Sequence, residues 1–194
     1  MKFLLDKEET ARIHFRIIER SDFASWLPFF QNPNSFRYWN MQRQTPEIEC
    51  QQWYDKQFDR YDQDKGGMNV LIEKSSGNLI GHCGLLVQNV DGCVELEMGY
   101  SLLPAYWSMG FASEAASKCR DVAFDRGYSS SLISIISLSN TPSARVAEKN
   151  GMTIDKQTAY NDNVVNIFRI TVEQWKAISG NNINTERSRS QEAF

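Results

Sequence analysis

One stretch, from Glu97 to Ala115, limits the folds open to this chain more than any other. It begins Glu97-Met98-Gly99-Tyr100-Ser101-Leu102-Leu103 and meets Pro104, which cannot donate to a sheet ladder, so a strand stops there or just before. From Ala112 the chain is rich in helix formers and free of Gly and Pro until Gly127, the composition of a helix that opens near Gly110. A turn that delivers a strand into a helix leaves several N–H groups unpartnered at the positive end of the helix dipole. Such a turn can receive phosphate, and the bare Gly110 lets backbone approach an anion closely. Read alone, it is equally an ordinary strand–turn–helix connection. A dinucleotide-binding loop has three glycines at fixed spacing, and the Gly-Lys-Ser/Thr of a P-loop occurs nowhere in the chain.

The remaining segments supply neighbours for that strand and helix. Residues 11–18 alternate as a first strand. Ser21-Asp22 offers an N-cap to a short helix that starts at Phe23 and ends near Pro28, and residues 31–45 read as loop. Thr45-Pro46 opens an amphipathic helix that runs to about Tyr61. Residues 68–74 and 79–89 form a hairpin, and Val90-Asp91-Gly92 turns the chain into a strand over 94–103, so three antiparallel strands run in sequence. After the helix of about 111–126, the apolar and β-branched run 132–138 is a buried strand. The intervening crossover makes it parallel to the 94–103 strand. A short helix over 143–150 and a hairpin of 152–160 with 164–172 complete a mixed α+β sheet with helices packed on it. This gives one domain over residues 1–179 and a polar tail, 180–194, whose composition is that of a disordered segment.

About thirty residues past Gly110 lies a second stretch, Asn140-Thr141-Pro142-Ser143-Ala144-Arg145-Val146-Ala147-Glu148-Lys149-Asn150-Gly151-Met152. With both stretches in hand, the chain resembles the GNAT N-acetyltransferases, nearest the branch that includes the ribosomal-protein N-terminal acetyltransferases. The family's acetyl-CoA loop, Gln/Arg-x-x-Gly-x-Gly/Ala, falls on Trp107, Ser108, Met109, Gly110, Phe111 and Ala112. Its later pattern, Asn-x-x-Ala/Ser closing on Lys and Gly-Phe, falls on Asn140, Ser143, Lys149, Gly151 and Met152. The resemblance spans roughly residues 12–172. It implies an α+β, single-domain fold: a mixed, mostly antiparallel sheet of about seven strands, with helices on both faces and a parallel strand pair that splays apart.

The resemblance also implies acetyl-CoA as co-substrate. Tyr100, Ser101 and Leu102 would face the pantetheine arm through backbone groups. The turn from Trp107 through Ser108, Met109, Gly110, Phe111 and Ala112 to Ser113 would hold the pyrophosphate, with Asn140 anchoring CoA or a bridging water. Trp107 replaces Gln/Arg, and Ser108 and Met109 stand where the branch has Gly and Lys; losing that point charge weakens CoA binding.

Acetyl transfer to an amine needs a neutral amine, a donor for the oxyanion and a proton for the departing thiolate. Glu97 is the candidate base and Glu95 the second, since alternation puts both on one strand face; the plainer role of such a face is solvation. Many family members place a tyrosine seven residues after the asparagine, but that slot holds Ala147 here. The resemblance to the ribosomal branch, where Ser143 sits at the matching position, implies Ser143 as the substitute acid, in competition with a plain position at a helix N-terminus capped by Asn140 or Thr141. The expected activity is direct transfer in a ternary complex, without an acyl-enzyme, to a primary amine: a protein N-terminus, or a small molecule such as a polyamine. The altered loop and Ala147 keep open a second reading, an acyl-CoA-binding or regulatory protein with little catalysis. Dimers are common among such enzymes, so a homodimer is an expected partner state.

Composition narrows the remaining classes. With 21 basic and 24 acidic side chains, a net charge of −3 argues against a nucleic-acid binder that relies on a basic surface. Four cysteines without a Cys-x-x-Cys pair read as free thiols of a cytoplasmic protein, and no run is long enough to span a bilayer. His82 and Cys83 are adjacent on a strand and so point to opposite faces, with Cys83 read as core and His14 as structural. Asp59, Asp62 and Asp64 lack the glycine turn of a calcium loop and read as a solvated run, with no metal expected. Phe36, Tyr38, Trp39, Trp53 and Tyr54 divide between core and the wall of an acceptor pocket.

Overall fold

In the computed structural model, which describes residues 2–178 and Gly180, the chain order is β1 (Ile13–Arg16), α1 (Phe23–Gln31), α2 (Pro46–Asp62), β2 (Gly66–Glu73), β3 (Leu79–Val90), β4 (Cys93–Leu102), α3 (Phe111–Asp125), β5 (Ser131–Ser137), α4 (Thr141–Lys149), β6 (Thr153–Tyr160) and β7 (Asn163–Thr171). A last helix, α5, covers 172–178. The strands make one sheet in the order β1-β2-β3-β4-β5-β7-β6, antiparallel throughout except where β4 meets β5. α3, lying between the two strands in sequence, supplies the long crossover that a parallel step needs.

The helices cover both faces. Phe111, Ala115, Cys119 and Ala123 of α3 bury against Leu71, Leu85, Met98 and Ile136 of the sheet. On the other face, Trp26 and Phe30 of α1 pack with Cys50, Tyr54 and Tyr61 of α2 over Val70 and Leu79. Among the described residues, no helix is long and apolar enough to cross a membrane. The polar tail falls outside the described residues, apart from Gly180 at its start.

Three local expectations are corrected. α1 does not end near Pro28 but runs on to Gln31. The ring removes one interior hydrogen bond, and the turn beyond it is held by burying Phe30 in the aromatic layer around Trp26. Asp22 makes no side-chain cap to α1. Its carboxylate instead grips the Arg16 guanidinium at 2.5 and 2.8 Å and accepts the Glu19 N–H at 2.8 Å. Finally, the chain past Thr171 is helical and not the end of a strand. Thr171 Oγ1 accepts the Gln174 N–H at 3.3 Å while Gln174 Oε1 accepts the Thr171 N–H at 2.8 Å, a reciprocal capping box.

Candidate active site

β4 and β5 share a single register pair, Glu97 with Ile133, and part beyond it. Side chains take the ladder groups at the vertex. Ser134 Oγ donates to the Met98 carbonyl at 2.8 Å, and the Ile135 N–H donates to the Glu97 carboxylate. The Leu103 N–H donates to the Ile80 carbonyl at 2.9 Å. By ladder alternation, Glu97, Gly99 and Ser101 then direct their backbone groups at β3, whereas Met98, Tyr100 and Leu102 direct theirs at the gap. The Leu102 carbonyl accepts the Trp107 indole N–H at 2.8 Å. Tyr100 therefore presents both its N–H and its carbonyl to the opening.

At the mouth of the gap, α3 starts with no side-chain cap, and its N-cap Gly110 is left-handed at φ +86°. A cleft of about 440 Å³ joins the two features, a size ordinary for a small-molecule site. Tyr100, Ser101, Leu102, Trp107, Ser108, Gly110, Ala112 and Ser113 line it from one side, and Asn140, Ser143, Arg145 and Lys149 from α4. Phe29, Arg37, Tyr38 and Trp39 close it from the α1–α2 connection. Three of these residues are cationic and none is Asp or Glu. Of the turn expected to hold phosphate, Phe111 instead packs in the core and Met109 points to solvent.

The α4 end is tied to β4. Asn140 Oδ1 accepts the Ser143 N–H at 3.2 Å, so Asn140 and not Thr141 caps the helix. The Ser143 carbonyl accepts the Tyr100 phenol at 3.0 Å, and burial pushes that phenol's pKa up. Ala147 is fully buried in the core and carries no acid. The Glu97 carboxyl lies above the ordinary carboxylate range: burial raises it, only partly offset by Gln88 Nε2 at 2.6 Å, the charge of Arg60 and the Ile135 N–H. Glu95 is engaged elsewhere, in a two-pronged ion pair with Arg169 at 2.7 and 3.0 Å.

The aromatic set divides. Tyr38 and Trp39 line the cleft, Phe36 packs on Phe29 and Phe30, and Trp53 and Tyr54 surround His82. His82 and Cys83 do face opposite ways, His82 against Trp26 and Cys83 with its Sγ 3.3 Å from that of Cys119. Sequence reasoning passed over Arg37 and Arg145. Arg145 had a legible signal, because it stands four residues before Lys149 and therefore on the same helix face.

The splayed parallel pair beside an uncapped, glycine-opened helix is the arrangement that the resemblance to the GNAT fold implies. The family description "Acetyltransferase (GNAT) domain" matches residues 12–153. YkkB of Bacillus subtilis (strain 168), an uncharacterized protein, is 31% identical over 153 residues, covering 76% of this chain and 85% of that one. Among solved structures, an acetyltransferase from Agrobacterium tumefaciens str. C58 superposes with a TM-score of 0.72 at 23% identity, over 88% of this chain and 96% of that one. The ribosomal L7/L12 alpha-N-protein acetyltransferase RimL, solved in complex with coenzyme A, gives 0.69 at 13% identity, over 87% and 98%. The chain belongs to the GNAT acetyltransferase family. At these identities the solved structures establish the shared fold.

Proposed function

We propose that this chain is an acetyl-CoA-dependent N-acetyltransferase that moves the acetyl group directly to a primary amine in a ternary complex. The observation that carries this reading is the single pairing of β4 with β5, which leaves Tyr100 backbone groups facing a cleft that ends at the uncapped start of α3. Those residues fit acetyl-CoA: Tyr100 main chain for the amides of the arm, the turn around Gly110 for the diphosphate, and Arg145 and Lys149 for further phosphate charge. The two α4 cations stand in for the lysine that the turn lacks. Acetyl-CoA, when bound, supplies a thioester activated toward attack.

The chain's own groups handle protons. Glu97, made more basic by its enclosure, takes the amine proton through a water. The hydroxyl of Ser143, a cleft residue whose backbone N–H is held by Asn140 Oδ1, is the donor toward the leaving sulfur. The acceptor is a primary amine, either a protein N-terminus or a small molecule such as a polyamine or amino acid, because Arg145 and Lys149 are taken up by the CoA phosphates and do not select it. A thiol-release screen with acetyl-CoA against N-terminal peptides, amino acids and polyamines tests this. Turnover with at least one of these primary amines is expected. CoA binding without release across the whole panel would overturn the transferase reading in favour of the non-catalytic alternative.

A further inference from the structure

We propose that Arg12, which lies outside the cleft, is a positioning residue whose task is to neutralise Glu114 at the anion-binding end of α3. The inference rests on the proposed seating of the CoA diphosphate at the turn around Gly110. Glu114 is the acidic residue of the first turn of α3, one turn from the N–H groups that would receive phosphate. A carboxylate there answers the same helix dipole that an incoming anion would use, and the two repel.

The structure binds that charge with unusual completeness. Glu114 Oε1 accepts the Thr10 hydroxyl at 2.5 Å and the Arg12 N–H at 2.9 Å, while Oε2 accepts Arg12 Nε at 2.7 Å and pairs with Nη2 at 2.6 Å. Burial alone would raise this carboxyl, but the Thr10 and Arg12 bonds outweigh it and hold it below the ordinary range. It is therefore ionised at neutral pH. Arg12 also reaches the turn itself. Its Nη1 donates to the Met109 carbonyl at 3.1 Å, and its guanidinium lies over the Phe111 ring at 4.2 Å. One side chain thus cancels the competing anion and occupies a carbonyl of the phosphate turn.

The test is a double-mutant cycle read by calorimetric titration of CoA, with circular dichroism and Tm confirming that each variant is folded. Arg12→Gln leaves Glu114 uncompensated and weakens CoA binding about tenfold or more. Glu114→Gln alone tightens binding, because it frees a cation beside the site. The double variant returns to within about threefold of the wild type, since no carboxylate remains to repel. Arg12→Lys keeps the charge with less disturbance and retains most of the affinity. A role in stability alone would lower Tm without this rescue. Unchanged affinity in Arg12→Gln, or a double variant as weak as Arg12→Gln, overturns the proposal. A wild-type protein that does not bind CoA would instead overturn the proposed function on which it rests.

Discussion

At the scale of single residues, His82 has the clearest consequence. Both of its ring nitrogens are buried without a protein hydrogen-bond partner, inside a box of Trp26, Trp53 and Tyr54. Burial pushes its pKa down to about 3, against an ordinary 6.5 in the unfolded chain. The folded protein therefore binds fewer protons than the unfolded one between those values. The stability that depends on a neutral His82 is complete above about pH 6.5 and falls by up to about 1.4 kcal/mol per pH unit below it. His82→Phe fits the same box and forfeits no hydrogen bond. Denaturant titrations should show the wild type losing stability more steeply than the variant between pH 6.5 and 4.5, and parallel profiles would refute this account. Ser143 offers the matching test of chemistry. Ser143→Ala should lower kcat about tenfold or more while CoA affinity stays within about twofold, because Asn140 caps through the Ser143 N–H and not its hydroxyl. An unaltered kcat would confine Ser143 to its helix-end role.

At the scale of elements, the turn from β4 into α3 is where backbone conformation decides binding. Gly110 is left-handed, and a Cβ built there would stand 3.4 Å from Arg12 Nη2. Gly110→Leu should cost about 1–2 kcal/mol of stability from the conformation alone. CoA affinity should fall about tenfold or more, because the side chain crowds the anion's approach and presses on Arg12. Equal affinity in a titration would remove the turn from the binding site. This element was legible in the sequence because Pro104 and Gly110 punctuate it, as Val90-Asp91-Gly92 punctuates the turn from β3 into β4. α5 was missed although Thr171-Val172-Glu173-Gln174 carries the capping-box spacing, since the apolar run before it continued a strand pattern without a break. Pro28 misled for the opposite reason: a local breaker was overridden by burial of the aromatic residues around it. Of the cleft's far wall, Tyr38 and Trp39 were legible as members of an aromatic set, whereas Arg37 was not, because it reaches the wall through chain path and not through any periodic pattern.

At the scale of the whole molecule, the sheet is two antiparallel halves, β1–β4 and β5–β7–β6, that touch at one ladder position. A shared core, with Leu85 and Met98 beside Leu132 and Phe168, and a set of polar links join them. Arg169 spans from β7 to Glu95 of β4 and to Asp155 of β6, Thr158 and Lys156 both bind Asp91, and the Asn40 N–H donates to Asn163 Oδ1 at 2.7 Å. These links brace the sheet on either side of the opening. Deuterium uptake followed amide by amide should register the opening directly. In the free protein Tyr100 should exchange quickly while its neighbour Ser101, paired with β3, is slow, giving a strand protected on alternate residues only. Saturating CoA should slow Tyr100 and leave Ser101 where it was, so that occupancy is written in the isotope content of one amide.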